Sequence, residues 1–226
     1  MSKRFLFVIT LLIAIIVCFV GCSNEVDPEP DMDNSLNIYL TLVNKTHQLP
    51  ENWEELFQID TVKNSLGEEV RIEHETYKHY QALRDELLEE GIQIELDSAY
   101  RSVDEQQELW DYFTKEYGEA YTKTYVAVPG YSEHHTGFAV DIFLIKDGEE
   151  IRENDDMIAD REDFAKIHAL LAKHGFILHY LENRDDVTGY SYEPWHLRYV
   201  GSPEIAQNIM DSGLTLEEYL EKDKLN

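Results

Sequence analysis

A single charge inside an apolar strand restricts this chain more than any other feature. Phe138-Ala-Val-Asp-Ile-Phe-Leu144 reads as a central β-strand in which Asp141 is the one charged residue. A carboxylate buried in this way needs a partner, and a metal ion is one. Two other segments supply matching chemistry. Ser132-Glu-His-His-Thr-Gly137 leads into the strand, and Glu193-Pro-Trp-His196 lies far downstream. His134, Asp141 and His196 offer two imidazoles and a carboxylate, the ligand count of a catalytic zinc that keeps its fourth position for water.

Neutral histidines with one aspartate leave a net positive centre, which acidifies bound water to a pKa near ~7. The resulting hydroxide can attack a peptide carbonyl, and Glu193, three residues before His196, is placed to act as base for that water. Pro194 limits how this short segment bends. His134 and His135 are adjacent, so in extended backbone they point to opposite sides and one of them binds the metal. Spacing does not say which, because Gly137 permits backbone that defeats a count of faces. His47, His74, His79, His168 and His174 read as structural or surface residues.

The amino terminus is an export segment. Lys3-Arg4 precedes the apolar run Phe5 to Val20, and Gly21-Cys22 ends it, the layout of a bacterial signal. Phe19-Val-Gly-Cys22 resembles a lipobox, in which Cys22 is lipidated and becomes the mature amino terminus. A membrane anchor and a cleaved secreted form are the alternatives, and all three put the rest of the chain outside the cytoplasmic membrane. Residues 22–35 are polar, acidic and proline-containing, the composition of a disordered tether. Residues 36–226 are the size of one domain.

Cys18 and Cys22 are the only cysteines, so the exported domain holds neither a disulfide nor a thiolate metal ligand. The formal charge of the chain is −27 and becomes −29 once residues 1–21, with Lys3 and Arg4, are removed. Nucleic acid is excluded as a partner on that balance. Asp147 to Asp163 carries nine acids and two arginines, a solvated loop and helix start.

Periodicity predicts a helix over 75–90, with Tyr77, Tyr80, Leu83, Leu87 and Leu88 on its apolar stripe and a stop at Gly91. The alternation over 92–96 predicts a strand that delivers Ser98-Ala-Tyr-Arg-Ser102 at its end, followed by a helix capped by Asp104 and running to Tyr117. A helix over 164–174 and a strand over 176–178 follow. Residues 188–200 read as a turn and then a strand bearing Glu193 and His196, and 203–221 as closing helices. The expected architecture is an α+β single domain, with helices packed on a small mixed or antiparallel sheet and the zinc site at that sheet.

Four groups of residues in this order resemble the VanY-type family of zinc D-alanyl-D-alanine carboxypeptidases, which includes bacterial L,D-carboxypeptidases. They are Leu42-Val-Asn-Lys45 with Leu49-Pro50; Ser98 to Ser102 with Gln106; Pro129-Gly-Tyr-Ser-Glu-His134 through Asp141; and Thr188 through Gly201. The resemblance implies His134, Asp141 and His196 as ligands of one Zn2+ per chain and Glu193 as catalytic base. It places Arg101 against the substrate's terminal carboxylate, a task suited to a guanidinium fork. Gln106, Ser132 and Tyr100 are similar to family positions near the substrate. Trp195 reads as core or pocket wall. His135 and His179-Tyr-Leu181 depart from the family pattern beside the site.

The implied activity is removal of the terminal D-alanine from peptidoglycan stem peptides, as a D,D- or an L,D-carboxypeptidase, by a monomer attached to the membrane through its lipid. A non-catalytic wall-binding module and a cross-bridge endopeptidase are the alternatives. Glu193 argues against the first and Arg101 against the second.

Overall fold

The computed structural model describes residues 38–223, and the export segment, Cys22 and the acidic tether lie outside the described residues. Strands β1 (Ile59–Lys63) and β2 (Glu69–Glu73) form an antiparallel ribbon that runs directly into helix α1 (His74–Glu89). Then follow β3 (Gln93–Ser98), α2 (Val103–Tyr117), α3 (Glu119–Tyr125), a 3-10 turn at Glu133–Thr136 and β4 (Ala139–Lys146). The second half comprises β5 (Glu149–Ile151), α4 (Asn154–Ala159), α5 (Arg161–Leu171), β6 (Phe176–Leu178), α6 (Asp185–Thr188), β7 (His196–Tyr199), α7 (Pro203–Ser212) and α8 (Leu216–Asp223).

The main sheet has the order β3-β4-β7-β6, with short β5 paired to β4. All its pairings are antiparallel, so the α+β architecture is present and its sheet is antiparallel rather than mixed. β4 is central, as its apolar run requires: Val140, Ile142 and Leu144 are buried in one core with Tyr80, Leu83 and Leu87 of α1 and Phe164, Ile167 and Leu171 of α5. Phe143 belongs to the same core and packs under Arg152, while the Asp141 side chain borders a cleft. Leu88 leaves the expected stripe of α1 and is 53 % exposed, because one residue of helix turns it about 100° from Leu87.

Helix α2 is capped by Ser102, not by Asp104. The Glu105 amide donates to Ser102 Oγ at 3.2 Å and the Ser102 amide donates to the Glu105 carboxylate at 2.9 Å, a reciprocal box that satisfies two amides at once. Asp104 sits inside the first turn, where its charge complements the helix dipole. The acidic stretch 147–163 is also more ordered than a loop. It contains β5, α4 and the start of α5, and its charges are partly answered by Lys146 on Asp160 and Asp163 and by Arg152 beside Glu68, Asp97 and Glu150.

Candidate active site

Sheet register assembles the site. Asp141 on β4 stands opposite His196 on β7 and opposite Ser98 at the end of β3, so three remote segments meet on adjacent strands. The third ligand candidate comes from the 3-10 turn, whose C-cap is Gly137 at φ 78. A Cβ at Gly137 would lie 2.9 Å from Glu73 Cβ, so both the left-handed backbone and the close approach require glycine there.

Asp141 Oδ2 lies 3.1 Å from His134 Nε2, and Asp141 Oδ1 lies 2.9 Å from His196 Nδ1. Donors around a tetrahedral zinc with bonds of about 2.0–2.1 Å stand about 3.3 Å apart, so both contacts of Asp141 are near that spacing, and the three ligand-type atoms all lie within 4.8 Å of one another. The tautomers fit as well. His134 Nδ1 donates to the Ala99 carbonyl at 2.7 Å, leaving Nε2 as the ligand atom. His196 Nε2 donates to the Glu133 carboxylate at 2.8 Å, leaving Nδ1 as the ligand atom. Burial would raise the Asp141 carboxyl, but charge and hydrogen bonds from His134 and His196 outweigh it and hold the group well below the usual carboxylate range.

The choice left open between adjacent histidines is decided by tertiary contacts. His135 Nδ1 donates to the Arg101 carbonyl at 2.6 Å, and its Nε2 accepts from the Gly130 amide at 3.0 Å. Both its nitrogens therefore serve the backbone beside the site, and His134 alone of the pair faces Asp141.

A cleft of about 460 Å³ opens over these groups. Glu193, Arg101, Gln106 and Ser132 line it with the three ligand candidates, and Trp195 forms part of its wall. Glu193 lies in the turn before β7 rather than in the strand. The His196 amide donates to the Glu193 carbonyl at 3.1 Å, and Pro194 takes the second place of that turn, which its fixed φ suits. Burial pushes the Glu193 carboxyl up to about 7, with the neighbouring His196 acting the other way. Arg101 is braced at both ends of its fork, donating to Gln106 Oε1 at 2.9 Å and Ser98 Oγ at 3.1 Å. Gln106 is itself pinned by a 2.8 Å bond to the Ala127 carbonyl. Each terminal nitrogen of Arg101 retains a second donor, enough for a bidentate carboxylate.

Tyr100 is the exception among the expected residues. It is not part of the cleft: its hydroxyl donates to Glu54 at 2.8 Å and the Arg71 guanidinium lies 5.0 Å from its ring centre. The two neighbours are held by different elements: the Tyr100 amide donates to the Arg71 carbonyl of β2 at 2.7 Å, and the Arg101 amide donates to the His134 carbonyl of the 3-10 turn at 3.1 Å.

Glu133 is a candidate site residue that the motif reading passes over. It is wholly buried, accepts from His196 Nε2, pairs with Arg198, and lies 2.9 Å from His179 Nδ1. His179 Nε2 reaches Glu217 at 3.2 Å, and Asn44 donates to Glu217 at 3.1 Å. Arg198 also donates to the carbonyls of Tyr39, Thr41 and Tyr199. Glu133, His179 and His196 form a second cluster with ligand-type atoms, but Arg198 already neutralises this carboxylate, which makes it an ion-pair network that orients His196. The available signal was Arg198, a charge in a strand as buried as that of Asp141.

Two imidazoles and a carboxylate on a cleft floor, with a carboxyl group and a guanidinium on its walls, define a metallopeptidase centre. Comparison with known proteins narrows the class. The family model for VanY, D-alanyl-D-alanine carboxypeptidase, matches residues 69–202, and the chain belongs to this family. It is 40% identical over 204 residues to the putative carboxypeptidase YodJ of Bacillus subtilis (strain 168), covering 88% of this chain and 73% of that protein. It is also 40% identical over 185 residues to the bifunctional D-Ala-D-Ala dipeptidase and D-Ala-D-Ala carboxypeptidase VanXYC of Enterococcus gallinarum, covering 80% and 92%. The fold is similar to that of the LdcB LD-carboxypeptidase, with TM-score 0.71, 39% identity and coverage of 84% of this chain and 88% of that one. The D,D-pentapeptidase VanY from a VanB-type resistance cassette, solved with Zn(II), gives TM-score 0.64 at 34% identity, covering 81% and 99%.

Proposed function

We propose that this chain is a zinc carboxypeptidase that removes the terminal D-alanine from peptidoglycan stem peptides. The observation that carries the reading is one cleft holding both a braced guanidinium at Arg101 and the His134, Asp141, His196 and Glu193 group. One end of the substrate is thereby held by its carboxylate while the adjacent bond lies over the catalytic groups. Zinc, when bound by His134 Nε2, His196 Nδ1 and Asp141, supplies Lewis-acid activation of water and of the scissile carbonyl. Glu193 takes the proton of the attacking water and returns it to the leaving amine, a role suited to a carboxyl raised by burial. Gln106 and Ser98 hold the plane of Arg101 and so set the distance from terminal carboxylate to cut bond.

The zinc-loaded protein is incubated with stem tetrapeptide and pentapeptide, and free D-alanine is followed by HPLC. Release from pentapeptide ending at tetrapeptide marks a D,D-carboxypeptidase, and release from tetrapeptide an L,D-carboxypeptidase. Amidation of the peptide carboxyl terminus is expected to abolish turnover; retained turnover would make the enzyme an endopeptidase, and no release from either peptide would overturn the proposal. The export segment and Cys22 support a location on the outer face of the cytoplasmic membrane as a lipoprotein. Replacement of Cys22 by alanine is expected to release the protein from the membrane fraction.

A further inference from the structure

Helices α2 and α3 carry an exposed aromatic ladder. Tyr112, Tyr117, Tyr121 and Tyr125 are each between 41% and 61% exposed, an unusual concentration of large rings on one side of the molecule. Tyr117 and Tyr121 stack with ring centres 5.0 Å apart, Tyr121 and Tyr125 follow at 4.5 Å, and Phe113 lies parallel to Tyr121 at 6.4 Å. Phe113, Tyr121 and Tyr125 line the catalytic cleft, so the ladder begins inside the site and continues onto the surface.

Its position relative to Arg101 is given by helix geometry. Gln106, Leu109, Phe113 and Tyr117 share one face of α2, and the first three line the cleft. Gln106 holds the guanidinium that receives the substrate's carboxyl end. Tyr117 lies eleven residues further along the same helix, about 16 Å away. An extended tetrapeptide spans about 13–14 Å. A substrate anchored by its carboxylate at Arg101 and laid along α2 therefore brings its amino end to Tyr117 and to the Tyr121 ring stacked on it, whereas Tyr125, two residues before the Ala127 carbonyl that holds Gln106, lies back towards the Arg101 end.

We propose that Tyr117 and Tyr121 form a subsite for the amino-sugar strand from which the stem peptide hangs, an inference that rests on the proposed function. Ring faces carry negative charge density and attract the C–H face of a pyranose, while phenol hydroxyls reach its hydroxyl and acetamido groups. Tyrosine offers this area at low entropic cost. The muramyl carboxyl is consumed in the bond to the peptide, so the sugar arriving here is uncharged and suits a chain of formal charge −27 better than an anionic polymer does.

The test compares kcat/KM of the zinc-loaded full-length protein on the free stem peptide and on the same peptide carrying an N-acetylglucosaminyl-N-acetylmuramyl disaccharide at its amino end. The disaccharide substrate is expected to be favoured roughly tenfold, about what one stacked ring contact supplies. Tyr117→Ser, and separately Tyr121→Ser, should bring that ratio towards one. Equal use of both substrates by the unaltered protein, or an unchanged ratio in both variants, would overturn the subsite. If neither substrate is cut, the proposed function fails, and the subsite is then decided by direct titration with chitotetraose: saturable binding lost in Tyr117→Ser supports it and absence of binding overturns it. Sedimentation with phospholipid vesicles, or self-association, abolished by Tyr117→Ser without any sugar dependence would equally overturn it.

Discussion

Asp141 and Glu193 are two carboxyls in one cleft, and their surroundings push them in opposite directions. Paired imidazoles keep Asp141 ionised, while burial raises Glu193 to about 7; such a divergence separates a ligand from an acid–base group. Glu193→Gln is expected to lower turnover about 10²–10⁴-fold while zinc content, measured by atomic absorption, is unchanged. The base must be ionised, so kcat/KM falls as pH drops through the Glu193 pKa. Bound zinc favours the carboxylate and lowers this value, which places the acidic limb at or below about 7. A limb well above that pH would exclude Glu193 as the titrating group. Glu133 acts one bond further out. Glu133→Gln is expected to weaken zinc binding about 10–100-fold in a chelator competition, because the His196 Nε2 hydrogen loses its charged acceptor. It also leaves Arg198 buried without its counter-charge, a loss of about 3–5 kcal/mol in chemical denaturation.

At the scale of elements, β4 and the turn before it carry two of the three ligand candidates. His134 enters from the 3-10 turn, Gly137 reverses the chain, and Asp141 follows in strand register with His196. Gly137→Ala requires a left-handed alanine and a contact with Glu73. The expected cost is about 1–3 kcal/mol in urea unfolding, with weaker zinc binding; an alanine variant of unaltered stability and affinity would show that the turn does not set the ligand geometry. Strands whose pairing is long and apolar were legible in advance, as were α1 and α2 from their period. β5 and the β1–β2 ribbon were not. β1 and β5 are short runs with much exposed surface, and β2, although Val70 and Ile72 are buried, is only five residues long; it is pairing with a neighbour, absent from local pattern, that makes them strands. The cap of α2 was misplaced by two residues because Ser102 and Asp104 are both good capping residues and the box with Glu105 decides between them.

Across the whole molecule, the buried chain of Asn44, Glu217, His179, Glu133 and Arg198 ties the amino-terminal segment, α8, the ligand turn and β7 together. Burial acts to lower the His179 pKa, but Glu133 and Glu217 outweigh it and raise the ring to about 9. Its unfolded value is near ~6.5. A raised cationic pKa contributes stability that is complete below the unfolded value and is lost as pH climbs through the folded one. Glu133 and Glu217 are shifted down, so their contribution is present at neutral pH and is lost as pH falls through the carboxylate range. Thermal unfolding with chelator present is therefore expected to show a midpoint that declines as pH rises from about 6.5 to about 9. His196, which despite burial is raised to about 10 by Asp141 and Glu133, acts in the same direction, so His179→Gln should reduce that decline without abolishing it; an identical slope in the variant would assign it wholly to other groups.

The sequence by itself supplied the candidates: the side chains offered as metal ligands, the carboxyl proposed as base, and the guanidinium proposed to hold a carboxylate. Side-chain type and local spacing carry that information, because donor atoms and charges belong to residues. Only the tertiary structure decided that His134 rather than His135 faces Asp141, that Tyr100 turns away from the cleft, and that Glu133 orients His196. Those outcomes depend on strand register, on a turn permitted by Gly137, and on partners distant along the chain, such as Arg198 and Glu217. Local sequence pattern cannot encode which remote backbone carbonyl or buried charge arrives beside a given ring, and it is that arrival that sets tautomer, direction and pKa.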